Sequence, residues 1–233
     1  MGEQTTNDGL PTYQSGSSAS PRALVVIQEA FGVNFHIRNV SDEFSAFGYF
    51  VVAPVLFHRI GSPEIPYNDL PAATGAMGTL NKEDLSADVS AAITYLNSLG
   101  FRKENIGVIG YCMGGTVAFC AATFGIVGAA VSFYGAGIAQ SRFGFDPLIE
   151  LTPALECPWL GLYGERDKTI SIEDIERLEA ALPESPFSAE LVRYPDAEHA
   201  FDCTPRPEVF NHAASTDARK RTLQFLDGHL EAR

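Results

Sequence analysis

Ile106-Gly107-Val108-Ile109-Gly110-Tyr111-Cys112-Met113-Gly114-Gly115 is the stretch whose reading decides the fold. It opens as a short apolar run ending at Gly110, and a helix-compatible segment from Thr116 to Ala122 follows the paired glycines. Between them lies Gly-x-Cys-x-Gly-Gly, the thiol form of a nucleophile elbow. A turn this sharp, from buried strand into helix, forces its central residue into a strained backbone conformation. Residues two positions away must lack a Cβ or strand and helix collide, and Gly110 and Gly114 meet that need. The cysteine then stands at the sheet's carboxyl edge beside the positive end of a helix, a field that favours thiolate. A free cysteine is more commonly a small buried hydrophobe. Strand, spaced glycines and helix together argue against that plainer role here.

Outward from the elbow, strand and helix signals alternate. Ala23–Ile27 and Tyr49–Ala53 read as buried strands. Between them Ile37, Val40, Phe44 and Phe47 recur at helical spacing up to Gly48. Residues 55–81, broken by Pro63, Pro66 and Pro71, are expected to hide short helices or a functional loop. Leu85, Val89, Ala92, Ile93, Leu96 and Leu99 mark an amphipathic helix ahead of the elbow. After it come a strand at 127–133, an irregular segment at 135–155, strands at 159–163 and 189–194, and a helix from about 214 to 230. Ser171-x-x-Asp174 resembles a capping box. The alternation predicts an α/β fold: a mainly parallel sheet with helices on both faces. Residues 1–22 read as a polar, partly mobile leader with an edge strand around Leu10–Gln14, and 23–233 as a single domain.

Composition narrows the function. A net charge of −13 argues against nucleic acid or an anionic membrane as partner. The four cysteines (Cys112, Cys120, Cys157, Cys203) form no C-x-x-C pair, so neither a disulfide framework nor a metal site is expected. That spacing, with no apolar run in the first twenty-two residues, predicts a cytoplasmic protein without signal peptide. The expected partner is a small molecule; a monomer is expected, with a homodimer left open.

In a parallel sheet, residues just past the strand ends gather at one edge. Cys112, Asp167 and His199 are three such positions, in the chain order nucleophile, acid, histidine. That is the order of the α/β-hydrolase fold. His199 would take the thiol proton, and Asp167 would fix its tautomer. Asp167 alone would be weak evidence, because a loop aspartate is ordinarily a helix cap. Asp202 competes for the acid role but follows no strand. The remaining histidines (His36, His58, His212, His229) read as structural or solvated. Oxyanion donors are expected from the N–H of Met113 and, in the loop after the first strand, of Ala30.

Gly110-Tyr111-Cys112-Met113-Gly114-Gly115, Gln28-Glu29-Ala30-Phe31-Gly32, Gly164-x-x-Asp167 and Ala197-Glu198-His199-Ala200-Phe201 together resemble the dienelactone hydrolase family. The likeness extends from about Ala23 to the C-terminus. It implies an α/β-hydrolase fold without metal or cofactor, which opens enol-lactones or related esters through an acyl-thiol intermediate. It also implies a role for Glu29. In the family the glutamate at this place contacts the nucleophilic thiol and helps switch it to thiolate when substrate binds. A carboxylate beside sulfur disfavours thiolate, so substrate that draws Glu29 away would activate the enzyme. The plain alternative is that Glu29 pairs with a nearby arginine.

The family's well-studied substrates carry a carboxylate gripped by two arginines, and neither arginine stands at its usual place here. Residues 61–101 contain no arginine, and the residue four past His199 is Cys203. Arg59 and Arg206 are the candidate replacements, Arg206 the better placed. Phe31, Tyr111, Tyr134 and Phe201 would make the pocket apolar or phenolic, favouring neutral esters and lactones. Cys120, Cys157 and Cys203 are expected to matter mainly to packing. A glutamine-amidotransferase-like protein would need a histidine soon after the cysteine, and Ser132-Phe133-Tyr134-Gly135 offers none. A catalytically degenerate hydrolase fold used for ligand binding or thiol sensing is argued against by the complete triad.

Overall fold

The computed structural model describes residues 2–6 and 9–233. Its strands form one sheet in the order β1-β2-β4-β3-β5-β6-β7-β8. These are β1 (Gly2–Thr5), β2 (Pro11–Ser15), β3 (Arg22–Ile27), β4 (Tyr49–Pro54), β5 (Ile106–Tyr111), β6 (Ala129–Phe133), β7 (Trp159–Gly164) and β8 (Ala189–Tyr194). β1, β2 and β4 pair antiparallel, and every other neighbouring pair is parallel. The expected edge strand near Leu10–Gln14 is present as β2, but a second strand, β1, extends the sheet beyond it. The leader's described residues are thus largely built into the sheet edge. Their polar side chains hid this, because an edge hairpin buries too little to show a hydrophobic pattern.

The helices are α1 (Phe35–Ala46), α2 (Leu70–Met77), α3 (Lys82–Ser98), α4 (Met113–Ala121), the single turn α5 (Leu148–Leu151), α6 (Ile172–Ala181) and α7 (His212–His229). α2 is one of the short helices expected inside the proline-broken 55–81 connection. α3 touches α4, α4 touches α5 and α5 touches α6, while α1 and α7 are joined by an ion pair between Glu43 and Arg219. Strand β5 shows that these groups cover opposite faces. A Cβ at Gly107 would meet Leu226 and Leu230 of the C-terminal segment, whereas one at Gly110 would meet Gly114 of α4. An odd separation along a strand puts two residues on opposite faces. Both faces are therefore covered, and all residues of β5, β6 and β7 are buried.

Helix starts follow side-chain chemistry. Asn34, Asp69, Asn81, Ser171 and Asn211 each accept a hydrogen bond from a backbone N–H of the first turn they cap. α4 starts differently, at Cys112, with no side-chain cap. Close approach explains its glycines. A Cβ on Gly110 would lie 1.8 Å from the Gly114 carbonyl oxygen, and one on Gly114 would lie 2.5 Å from that of Ile27. Those atoms are backbone and cannot step aside. Gly110→Ala is therefore expected to lower stability by about 3 kcal/mol, the upper range for overpacking. Urea unfolding of the variant measures this, and an unchanged midpoint would contradict the packing.

Candidate active site

The chain reverses direction across the sheet between β3 and β5: β3 is followed outward by β4, and the chain then returns to β5 on β3's other side. The carboxyl ends of β3 and β5 thus open side by side, the position where α/β sheets form crevices. The loops after β7 and β8 reach the same edge.

Cys112 occupies the turn between β5 and α4 with φ 55° and ψ −117°, a region that residues with a side chain rarely visit. Its N–H donates to the Phe133 carbonyl at 3.1 Å, and its carbonyl accepts from Gly115 N–H at 2.9 Å. The elbow is thereby tied to the end of β6 and to the first turn of α4. The side chain is half-buried. Tyr134 (φ 42°) and Ala200 (φ 61°) also hold positive φ, so three of the five non-glycine residues that do so among those described flank this edge.

Asp167 and His199 meet as expected. His199 Nδ1 lies 2.6 Å from Asp167 Oδ2. The other carboxylate oxygen accepts from Thr169 N at 2.7 Å, Thr169 Oγ1 at 2.7 Å and Ile170 N at 3.2 Å. Burial opposes ionisation of Asp167, but His199 and the Thr169 donors outweigh it and hold the carboxyl below its ordinary value. Burial likewise opposes protonation of His199. The charge of the Cys112 sulfur and the Asp167 hydrogen bond reverse that and push the imidazole up to about 10. The Cys112 sulfur lies near enough to this ring for its charge to act on it. His199 is thus hydrogen-bonded to Asp167 and lies within the electrostatic reach of Cys112.

Asp202 turns the other way. Its Oδ1 accepts from Ser215 Oγ at 2.6 Å and Arg219 Nε at 2.7 Å, both on α7. It anchors that helix and does not orient the histidine. Met113 N–H and Ala30 N–H, at the two neighbouring strand ends, take part in no hydrogen bond among the described residues.

Glu29 is buried just past the end of β3, but its hydrogen-bond partners do not include the Cys112 thiol. The Tyr67 hydroxyl donates to Glu29 Oε1 at 3.0 Å, and Cys203 Sγ lies 3.8 Å from the same oxygen. Tyr67 in turn accepts from Asn34 Nδ2 at 3.0 Å and from the Cys203 thiol at 3.3 Å. Burial raises the Glu29 carboxyl despite the Tyr67 hydrogen bond and the nearby Arg206 charge. The expected contact between Glu29 and Cys112 is thus replaced by one with Tyr67 and Cys203.

Several further expectations need correction. Arg59 does not reach the site: its guanidinium makes a two-point ion pair with Asp88 at 2.7 and 2.9 Å, on α3. A carboxylate pair on the adjacent helix (Asp84, Asp88) captures it first. Arg206 does reach it, with the guanidinium 5.7 Å from the Tyr67 ring centre and Nε 3.1 Å from Glu208. Tyr111, Tyr134 and Phe201 are wholly buried and back the site instead of lining an open pocket. The Tyr134 ring centre is 5.0 Å from that of His199, and Phe201 packs behind it at 5.3 Å. Phe31 is also buried and packs on Tyr67 at 4.6 Å. Cys203 belongs to the site's hydrogen-bond network and is more than packing. Tyr67 and Thr169 join the site although neither belongs to a strand-end motif. Tyr67 comes from the proline-broken connection, which carries no periodic signal. Thr169 had one, since Asp-x-Thr after a strand is a local hydrogen-bonding pattern.

Comparisons with known proteins bear on the family and the fold. A family model described as the dienelactone hydrolase family matches residues 10–230. A protein of Synechocystis sp. named "Putative carboxymethylenebutenolidase" is 33% identical over 214 residues, 89% of this chain and 86% of its own. The carboxymethylenebutenolidase of Rhodococcus opacus is 27% identical over 221 residues, 94% of this chain and 85% of its own. The crystal structure of a Klebsiella pneumoniae protein described as "Putative Dienelactone Hydrolase" superposes with a TM-score of 0.88 at 27% identity, covering 98% of each chain.

Proposed function

The chain belongs to the dienelactone hydrolase family, and from that premise we propose that it hydrolyses small lactones or esters through an acyl-thiol intermediate on Cys112. The observation that carries this is the strained elbow cysteine sharing His199 with a buried Asp167. The sulfur attacks the substrate carbonyl carbon, and the oxygen gains charge. Met113 N–H and Ala30 N–H are free to receive it, and losing one such donor typically lowers rate by about 10²–10³. Collapse expels the alkoxide or enolate, which His199 protonates; in a lactone it remains tethered to the acyl group. Water then attacks the thioester with His199 as base, releasing acid and free thiol. Glu29 acts beside this relay: hydrogen-bonded to Tyr67, it leaves the sulfur paired with His199. No helix among the described residues is long and apolar enough to cross a membrane; we place the reaction in the cytoplasm on small-molecule substrates.

Trapping the intermediate tests the mechanism. Rapid acid quench of p-nitrophenyl acetate turnover, followed by peptide mass spectrometry, should find the acetyl group on Cys112. Turnover with no adduct at Cys112 even in the pre-steady state would overturn it.

The site also bears on substrate choice. Arg206 is the candidate arginine that faces the site, and its charge is already offset by Glu208 and by the nearby Glu29. A single compensated guanidinium is a poor replacement for a two-arginine clamp. We therefore expect kcat/KM for a neutral lactone or aryl ester to be at least equal to that for a carboxylated dienelactone of similar size. Side-by-side kinetics check it. A strong preference for the carboxylated substrate, lost on Arg206→Ala, would show the clamp rebuilt around Arg206.

A further inference from the structure

We propose that Glu29, His36 and Cys203 form a binding site for a divalent cation of the zinc class, beside the catalytic relay and distinct from it. One ligand atom from each of these three residues lies within 4.8 Å of the other two, and all three residues are buried. They converge from separate parts of the chain: Glu29 after β3, His36 in the first turn of α1, and Cys203 in the loop before α7. Carboxylate oxygen, imidazole nitrogen and thiolate sulfur are a zinc-like donor set. Magnesium and calcium would require oxygen ligands throughout.

The distances suit the ion. Tetrahedral zinc holds sulfur at about 2.3 Å and oxygen or nitrogen at about 2.0 Å, so ligand atoms sit roughly 3.3–3.6 Å apart. Cys203 Sγ and Glu29 Oε1 are 3.8 Å apart, close to such an edge before any adjustment. The carboxylate is already oriented by Tyr67, itself held by Asn34. Hydrogen bonds of that kind fix the first ligands at metal sites.

An independent observation points to an occupant. His36 Nε2 is buried with no hydrogen-bond partner, and so are Tyr111 OH, Tyr134 OH and Asp202 Oδ2. Buried polar atoms without partners are uncommon in native proteins, and several in one neighbourhood call for a polar occupant. Tyr111 packs edge-on to His36 at 6.0 Å. The charge balance favours a cation over a bare water cluster. Glu29 and Asp202 bring two carboxyl groups into one buried region, where a cation offsets their charge. A surface depression lined by Asn34, Phe35, His36, Tyr67 and Pro205 borders the cluster at His36.

Binding is a proton exchange. The cation forms a bond to Cys203 sulfur, whose proton passes to solvent; water completes the coordination sphere, and no electron is transferred. Occupancy engages Glu29 in coordination while Tyr67 continues to hold its carboxylate.

The test uses the Cys112→Ala protein, stripped with chelator, so that the catalytic thiol cannot contribute. Titration with Co²⁺ should give a near-ultraviolet thiolate-to-metal charge-transfer band that Zn²⁺ abolishes, with about one proton released per ion. Cys203→Ser in the same background should remove the band. His36→Gln should weaken binding at least tenfold while circular dichroism shows a folded chain. Absence of band and proton release in the Cys112→Ala parent would overturn the site. So would a band that persists in Cys203→Ser, or one seen in the wild type that disappears with Cys112→Ala.

Discussion

Cys112→Ala is expected to lower kcat for ester hydrolysis by about 10⁵ or more, the loss seen when a covalent nucleophile is removed from a triad. The fold should survive, because the elbow's strain is set by Gly110, Gly114 and the Phe133 hydrogen bond and not by the thiol. Cys112→Ser should also be badly impaired. A hydroxyl is far harder to ionise, and the same histidine would have to remove its proton outright. Near-normal turnover of p-nitrophenyl acetate by the alanine variant would reject Cys112 as nucleophile.

The same substitution makes a prediction about pH. Burial tends to lower His199, and the Cys112 sulfur does most to raise it, with Asp167 adding to the effect. The folded value of about 10 lies above the ordinary 6.5. The stability this contributes is therefore fully present below pH 6.5 and lost as pH rises through 10. Without the sulfur, His199 should titrate lower, and that loss should move to lower pH. NMR titration of the His199 ring in wild type and Cys112→Ala measures the shift directly. Identical curves would mean that sulfur and imidazole do not share a proton.

How much was legible in the sequence depended on whether the signal was local. Cys112, Asp167 and His199 could be read because each follows a strand, and a parallel sheet gathers strand ends at one edge without further information. The elbow glycines could be read because their spacing is steric. Arg59 could not be placed. Whether an arginine reaches a pocket or a helix depends on which carboxylate is nearer, and Asp84 and Asp88 lie more than twenty residues away. Tyr67 and Cys203 escaped for the same reason. Their roles exist only once the 55–81 connection folds over the end of β3, and an irregular segment rich in proline carries no period from which that could be derived. Position after the first strand singles out Glu29, but its partners Tyr67 and Cys203 arrive from distant irregular segments with no local signal. Strand β1 went unseen because an edge strand need not alternate in polarity.

His199→Ala should cost about 10⁴-fold or more in kcat, whereas Asp167→Asn should cost less than the roughly 10⁴-fold seen when a serine triad loses its acid. The difference follows from what each variant leaves behind. Without His199 nothing takes the thiol proton or protonates the leaving group. In Asp167→Asn the base remains, and the amide oxygen can still accept from Thr169 and Ile170. What changes is the partner of His199 Nδ1. An amide NH₂ placed there donates to the ring and moves the imidazole proton to the nitrogen facing sulfur, the wrong tautomer for a base. A thiol tolerates this better than a hydroxyl, because it ionises more readily. Asp202→Asn serves as the control. Asp202 pairs with Ser215 and Arg219, so its loss should reduce the urea midpoint by leaving a half-buried guanidinium underpaired, while kcat stays within severalfold of wild type. Should folded Asp202→Asn lose more kcat than Asp167→Asn, the acid of the relay would have to be reassigned.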